Sequence, residues 1–276
     1  MPAKSIRGRG ARSIGRRRAA RAADDPAAVE QPPKPATACG VARDYVKSRS
    51  ERLSRDMELL WFGRAGRPLV LFPTSCARFF QAEDFGLVEA LRPKIEAGEL
   101  QAVCVDGVDE ESWYNASVHP SVRRARHEQY DAYLHDELLP YVRRRSGRAD
   151  LALFGASFGA YHAVNLACRY PDEIGKAIAF SGLYDIHRFL DGHWDDGCYF
   201  QCPTAYVPNM DESWVRRLSR VAFVVATGEH DSLVADNRGF AEILSNKGIP
   251  VHAEIWPGVF GHDWCFWQEH LPRFVP

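Results

Sequence analysis

From residue 41 onward the apolar positions fall into two alternating patterns. Short β-branched or apolar stretches predict strands over residues 57–62, 69–72, 100–105, 151–154, 177–181, 221–226 and 251–256. Between them, apolar residues recur at helical spacing and predict helices over 83–96, 122–145, 160–169, 214–219, 236–246 and 263–271. Strands buried on both faces read as continuous apolar runs. Their alternation with helices predicts an α/β fold, a mainly parallel sheet covered by helices on both faces. Residues 1–40 show neither pattern. They are rich in Arg, Ala and Pro, run through Gln31-Pro-Pro-Lys-Pro35, and cannot bury enough apolar surface to offset the entropy of ordering. The chain therefore reads as a disordered extension over 1–40 and one domain over 41–276.

One predicted strand-to-helix junction carries a distinctive sequence. The run 151–154 meets Gly155-Ala-Ser-Phe-Gly159, and a helical stretch follows. In that context G-x-S-x-G reads as a nucleophile elbow, a strained turn that lifts the serine hydroxyl clear of the backbone at the carboxyl edge of a sheet. The Phe158 N–H, at the helix start, would then face the oxyanion of an acyl substrate. A serine needs a base and the base an orienting acid, and in this architecture they follow in the order acid, histidine. The run 221–226 ends in Thr227-Gly-Glu-His-Asp231, and the run 251–256 leads through Pro257-Gly-Val-Phe-Gly261 to His262. Both lie just past strand ends, on the edge where Ser157 would sit.

Ser157, Asp231 and His262 are thus the candidate nucleophile, acid and base. Asp185, after the run 177–181, is the alternative acid, and Glu229 a further one. Among ten histidines, His252 alternates within a strand, His127 and His135 lie in a charged helix, and His162 lies on the helix after the elbow. His262 alone combines a glycine-flanked loop with a position after the last strand. Asp263 reads as the cap of the following helix.

The segments Leu71-Phe-Pro-Thr-Ser75, Ser112-Trp-Tyr-Asn115, Gly155-Ala-Ser-Phe-Gly159, Ser181-Gly-Leu-Tyr-Asp185 and Gly261-His-Asp-Trp264 occur in one order along the chain. From about Asp44 to the C-terminus, that series resembles the esterase D-like branch of the α/β-hydrolases. The branch includes S-formylglutathione hydrolases, feruloyl esterases and mycolyltransferases. The resemblance implies an α/β-hydrolase fold and a serine hydrolase of carboxylic esters or thioesters, with Ser157 as nucleophile, Asp231 as acid and His262 as base. It also implies a second oxyanion N–H from the loop after the run 69–72, which alignment by eye gives to Cys76. The chain departs from the family at Cys76-Ala77, where related chains often carry two glycines, and at Ala160. Trp113 and Tyr114 are candidate walls of the substrate pocket. An acyltransferase using the same three residues, or a binding protein that keeps the fold without activity, are the alternatives.

Composition adds limits. With 46% hydrophobic and 12% aromatic residues, 276 residues suffice for a soluble domain with an ample core. No apolar run approaches the roughly 18–20 residues of a membrane span. The net charge of −1 hides a segregation. Residues 1–22 hold eight of the 35 basic side chains and no acid, which leaves 27 basic against 36 acidic residues in the rest. An acidic body predicts neither a nucleic-acid nor a membrane partner, and the expected partner is a small-molecule ester or thioester. The basic head has no apolar segment behind Arg16-Arg17-Arg18, so a secretion signal is not expected; an organelle presequence or a nucleic-acid-binding arm stays open. Seven cysteines without a paired framework fit a reducing, cytoplasmic setting. His187, His193, Cys198 and Cys202 match no common zinc spacing, so neither metal nor cofactor is expected. The stretch 186–208, which carries Trp194, Tyr199 and Phe200, reads as a pocket wall or a surface loop.

Overall fold

The computed structural model describes residues 41–275, so the basic, proline-rich head lies outside the described residues. Eight strands form one sheet: β1 (Arg43–Ser50), β2 (Arg55–Phe62), β3 (Arg67–Phe72), β4 (Leu100–Val105), β5 (Leu151–Ala156), β6 (Ile174–Phe180), β7 (Ala222–Gly228) and β8 (Val251–Trp256). Their spatial order is β1-β2-β4-β3-β5-β6-β7-β8. The first two pairings, β1 with β2 and β2 with β4, are antiparallel; every later neighbour is parallel. This is the α/β-hydrolase sheet that the motifs implied.

Among the described residues there are ten α-helices: α1 (Gln81–Asp84), α2 (Leu87–Glu96), α3 (Pro120–Tyr133), α4 (Leu139–Ser146), α5 (Phe158–Arg169), α6 (Asp196–Tyr199), α7 (Pro203–Tyr206), α8 (Glu212–Leu218), α9 (Val234–Asn246) and α10 (Trp264–His270). Alternation along the strands divides the core into two layers. Val70, Val103, Leu153, Ala177 and Val225 face α3, α4, α5 and α9, while Leu71, Cys104, Phe154, Ile178 and Val224 face α2 and α10. All six residues of β4 and of β5 are buried, which is why β5 reads as an unbroken apolar run and β4 as one broken only by Gln101, whose amide is bonded to Trp61 and the Gly66 carbonyl.

The structure departs from the sequence expectations in three places. β1 was not expected, because Tyr45 and Val46 are its only large apolar residues and half of its residues are exposed. The single helix expected over 83–96 is broken at Phe85-Gly86 into α1 and α2. The helix expected over 122–145 passes through a π turn, Leu134–Leu138, before α4. Pro140 sits at the start of α4 and has no N–H for the carbonyl four residues back, so the chain widens there instead of continuing as α-helix.

Candidate active site

The carboxyl edge of the parallel strands gathers the site. β5 ends at Ala156, and Ser157 follows with φ +55° and ψ −123°, a conformation outside the favoured regions for a residue with a Cβ. Its N–H is tied to the Phe180 carbonyl on β6 at 2.9 Å, and α5 starts at the next residue. The turn needs Gly159. A Cβ there would stand 2.5 Å from the Pro73 carbonyl oxygen, because the loop after β3 lies directly against the first turn of α5.

The loops after β7 and β8 bring up the other two groups. The His230 N–H donates to the Val259 carbonyl at 2.9 Å, and the Glu229 N–H to the Trp256 carbonyl at 2.9 Å, so the two loops are pinned together. Gly261 has φ +71°, and a Cβ on it would lie 2.4 Å from the Gly228 nitrogen. Its carbonyl accepts Ser181 Oγ at 2.7 Å and Trp267 Nε1 at 3.1 Å, which fixes the backbone immediately before His262.

The result is a chain of hydrogen bonds. His262 Nε2 lies 3.1 Å from Ser157 Oγ, and His262 Nδ1 lies 3.2 and 3.3 Å from the two carboxylate oxygens of Asp231. Asp231 is buried, and its oxygens also accept Thr227 Oγ1 at 2.7 Å and the Leu233 N–H at 2.8 Å. Burial raises the pKa of this carboxyl, but hydrogen bonds from His262, the Leu233 N–H, Thr227 and Ser181 outweigh burial and hold it at about 2. Asp231 is therefore ionised at neutral pH. The alternative acids are engaged elsewhere: Asp185 Oδ1 accepts the His187 N–H and lies 2.6 Å from His187 Nδ1, and Glu229 Oε2 accepts the Gly258 N–H at 2.9 Å. Asp263 caps α10 through the Phe266 N–H at 2.9 Å.

The loop after β3 differs from the expectation drawn for Cys76. Cys76 adopts φ +57°, and its N–H donates to Asp109 Oδ2 at 3.1 Å. The Thr74 N–H goes to Gln81 Oε1 at 2.9 Å and the Ala77 N–H to the Thr74 carbonyl at 3.1 Å. Pro73 has no N–H. The Ser75 N–H is the loop amide that finds no acceptor among the described residues, whereas the amide of Cys76 is committed to a carboxylate. The Phe158 N–H, at the first position of α5, is likewise open.

Tyr114 and Trp113 part company. The Tyr114 ring, 38% exposed, meets Phe158 edge-on at 5.1 Å and Phe189 at 5.0 Å. Its hydroxyl lies 2.7 Å from Ser75 Oγ, and desolvation pushes its pKa up to about 12. Trp113 is 1% exposed and packs against His127 and Phe189, in the core rather than on an open wall. Through Phe189, one end of the stretch 186–208 reaches the site. The rest of that stretch folds into short helical turns.

Two groups hold metal-ligand atoms within 4.8 Å of one another, Asp185–His187–Cys202 and His193–Asp195–Cys198. In each, the carboxylate already accepts from its neighbours, and Arg124 Nε stands 3.5 Å from Asp195 Oδ1. Burial also raises the Cys198 thiol to about 11, away from the thiolate a metal requires. Sequence reasoning missed Asp109, and quoted Thr227 and Ser181 in motifs without giving either a role. Ser75 was quoted in a motif but given no role.

Residues 70–276 match the family model described as "Putative esterase". Among solved structures, a ferulic acid esterase is 21% identical at a TM-score of 0.69, covering 86% of this chain and 98% of its own. The S-formylglutathione hydrolase FrmB of Staphylococcus aureus is 18% identical at 0.60, covering 84% and 94%. FphF, a fluorophosphonate-binding serine hydrolase of the same organism, is 18% identical at 0.59, covering 85% and 97%. At these identities the structures share the fold with this chain. No curated protein matches significantly.

Proposed function

The chain belongs to the Putative esterase family and is a carboxylic ester hydrolase, and we propose that it works through an acyl-enzyme on Ser157. His262 Nε2 takes the Ser157 proton as Oγ attacks the ester or thioester carbonyl of a small molecule, then gives it to the leaving group. Water repeats the cycle to release the acid. Asp231, ionised throughout, holds the imidazole in the tautomer whose Nε2 is free to accept and stabilises the imidazolium that forms. The single observation that carries this reading is the unbroken chain Ser157 Oγ–His262–Asp231.

The tetrahedral oxyanion needs donors placed in advance. The Phe158 N–H is one, at the positive end of α5. For the second, the amide accounting favours Ser75 over Cys76, since the Cys76 N–H would have to leave a carboxylate before it could serve. Each such donor is worth about 3–4 kcal/mol of transition-state stabilisation. Tyr114 walls the acyl side of the pocket.

The test is a fluorophosphonate probe with a panel of p-nitrophenyl esters and S-acyl thiols. Ser157 should be the labelled residue, and Ser157→Ala should lose both labelling and hydrolysis. Hydrolysis that survives in Ser157→Ala, with the label elsewhere, would refute the assignment.

A further inference from the structure

Asp109 is a buried carboxylate, 2% exposed, that takes no part in the chemistry above. It touches three parts of the site at once. Oδ2 accepts the Cys76 N–H in the loop after β3 at 3.1 Å. Oδ1 lies 2.9 Å from Nε2 of His162, on α5 one turn after the elbow. Its carbonyl accepts the Tyr114 N–H at 3.0 Å, on the wall of the pocket. His162 is itself 2% exposed and closed in by the rings of Phe72, Phe158, Tyr130 and His127.

We propose that Asp109, oriented by His162, is a positioning residue for the oxyanion loop. The proposal rests on the acyl-enzyme reading. A loop residue with a Cβ held at φ +57° persists only when its surroundings over-determine it. At Cys76 the backbone is tied down by the hydrogen bond from its N–H to the buried Asp109 side chain. The His162 ring anchors the carboxylate to the helix that bears Phe158. Both open amides, Ser75 and Phe158, are therefore referred to the same rigid body. Without Asp109 the loop would relax toward a commoner backbone conformation and turn the Ser75 N–H away, while Ser157, His262 and Asp231 stayed in place.

The consequence is a defect in transition-state binding with ground-state binding spared. Asp109→Ala in the full chain should lower kcat by about 10- to 100-fold, short of the loss of a whole donor, with KM changed less than about threefold. An aryl trifluoromethyl ketone, which forms a tetrahedral adduct on the serine, should bind more weakly by the same factor. Inhibition by the carboxylic acid product should not move. Asp109→Asn keeps an acceptor for the Cys76 N–H and a partner for His162, so it should retain kcat within about fivefold. Should the alanine variant fail to fold, Asp109→Asn and His162→Gln still decide, because ketone affinity must track kcat/KM across them. Ketone affinity that stays constant while kcat/KM falls, or a loss confined to KM, would overturn the proposal. Loss of hydrolysis in Ser157→Ala is scored separately, so failure here is distinguishable from failure of the acyl-enzyme reading.

Discussion

Two neighbouring turns at the carboxyl edge of the sheet place a side-chain-bearing residue at nearly the same positive φ, Ser157 after β5 at +55° and Cys76 beyond β3 at +57°. They are held in opposite ways. The elbow is fixed by main chain: its N–H is bonded to β6, and Gly159 admits the Pro73 carbonyl to within a distance no Cβ tolerates. The loop is fixed by side chains: Gln81 takes the Thr74 N–H, Asp109 the Cys76 N–H, and Tyr114 meets the Ser75 hydroxyl. Strain enforced by backbone packing leaves little room for substitution. Strain enforced by side-chain acceptors is adjustable.

The comparison breaks most severely at the elbow. Ser157→Ala and His262→Ala should each lower kcat by at least about 10⁴-fold with little change in Tm, and the double variant should be hardly worse than either, since both act in one step. Multiplying losses in steady-state kinetics would show that the two groups do not share that step. Gly159→Ala comes next. With a carbonyl oxygen 2.5 Å from the new Cβ, the loop and α5 must move apart, at a cost of several kcal/mol in urea unfolding and most of the activity. An alanine variant of normal stability and rate would mean that the elbow is looser than its main-chain packing implies.

Asp231 sharpens the picture through pH. Its folded value of about 2 lies below the ordinary 3.8, so its stabilising effect is fully present above about pH 4 and is lost as pH falls toward 2. The stability difference between the wild type and Asp231→Asn should be constant above about pH 4 and shrink below it, as measured by denaturant unfolding at a series of pH values. The smallest effect belongs to the side-chain-held loop. Cys76→Gly removes a left-handed penalty of about 1 kcal/mol but adds unfolded-chain entropy of similar size, so Tm should move by no more than about 3 °C with activity kept. A large loss of activity at an unchanged Tm would place Cys76 in the chemistry.

Seven of the eight strands were legible: the central parallel strands bury both faces and read as largely apolar, and the outer β8 still carries Val251, Ile255 and Trp256; β4 and β8 match their expected bounds residue for residue. β1 was not, since Tyr45 and Val46 are its only large apolar residues. Ser157, Asp231 and His262 could be chosen because each stands where a strand ends, a feature that short-range pattern reports. The Asp109–His162 pair could not be found that way. His162 looked like an ordinary helix residue, and nothing in the local pattern singled out Asp109. Their meeting depends on how α5 packs across the turn at 108–112, which no local spacing encodes. The assignment of loop amides failed for the same reason, because a backbone N–H has no sequence letter of its own.

The two rims of the sheet have a consequence for behaviour in concentrated solution. Among the described residues β1 and β8 are the outer strands, and each offers a row of backbone groups that another strand could join. β1 carries Arg43, Asp44, Lys47 and Arg49 along that row, and β8 carries His252 and Glu254. Charged side chains along an outer strand disfavour the addition of a further strand. Growth into ribbons or fibrils is thereby discouraged at the rim that is richest in cations, and the polar sequence that hid β1 from pattern reading is what guards it.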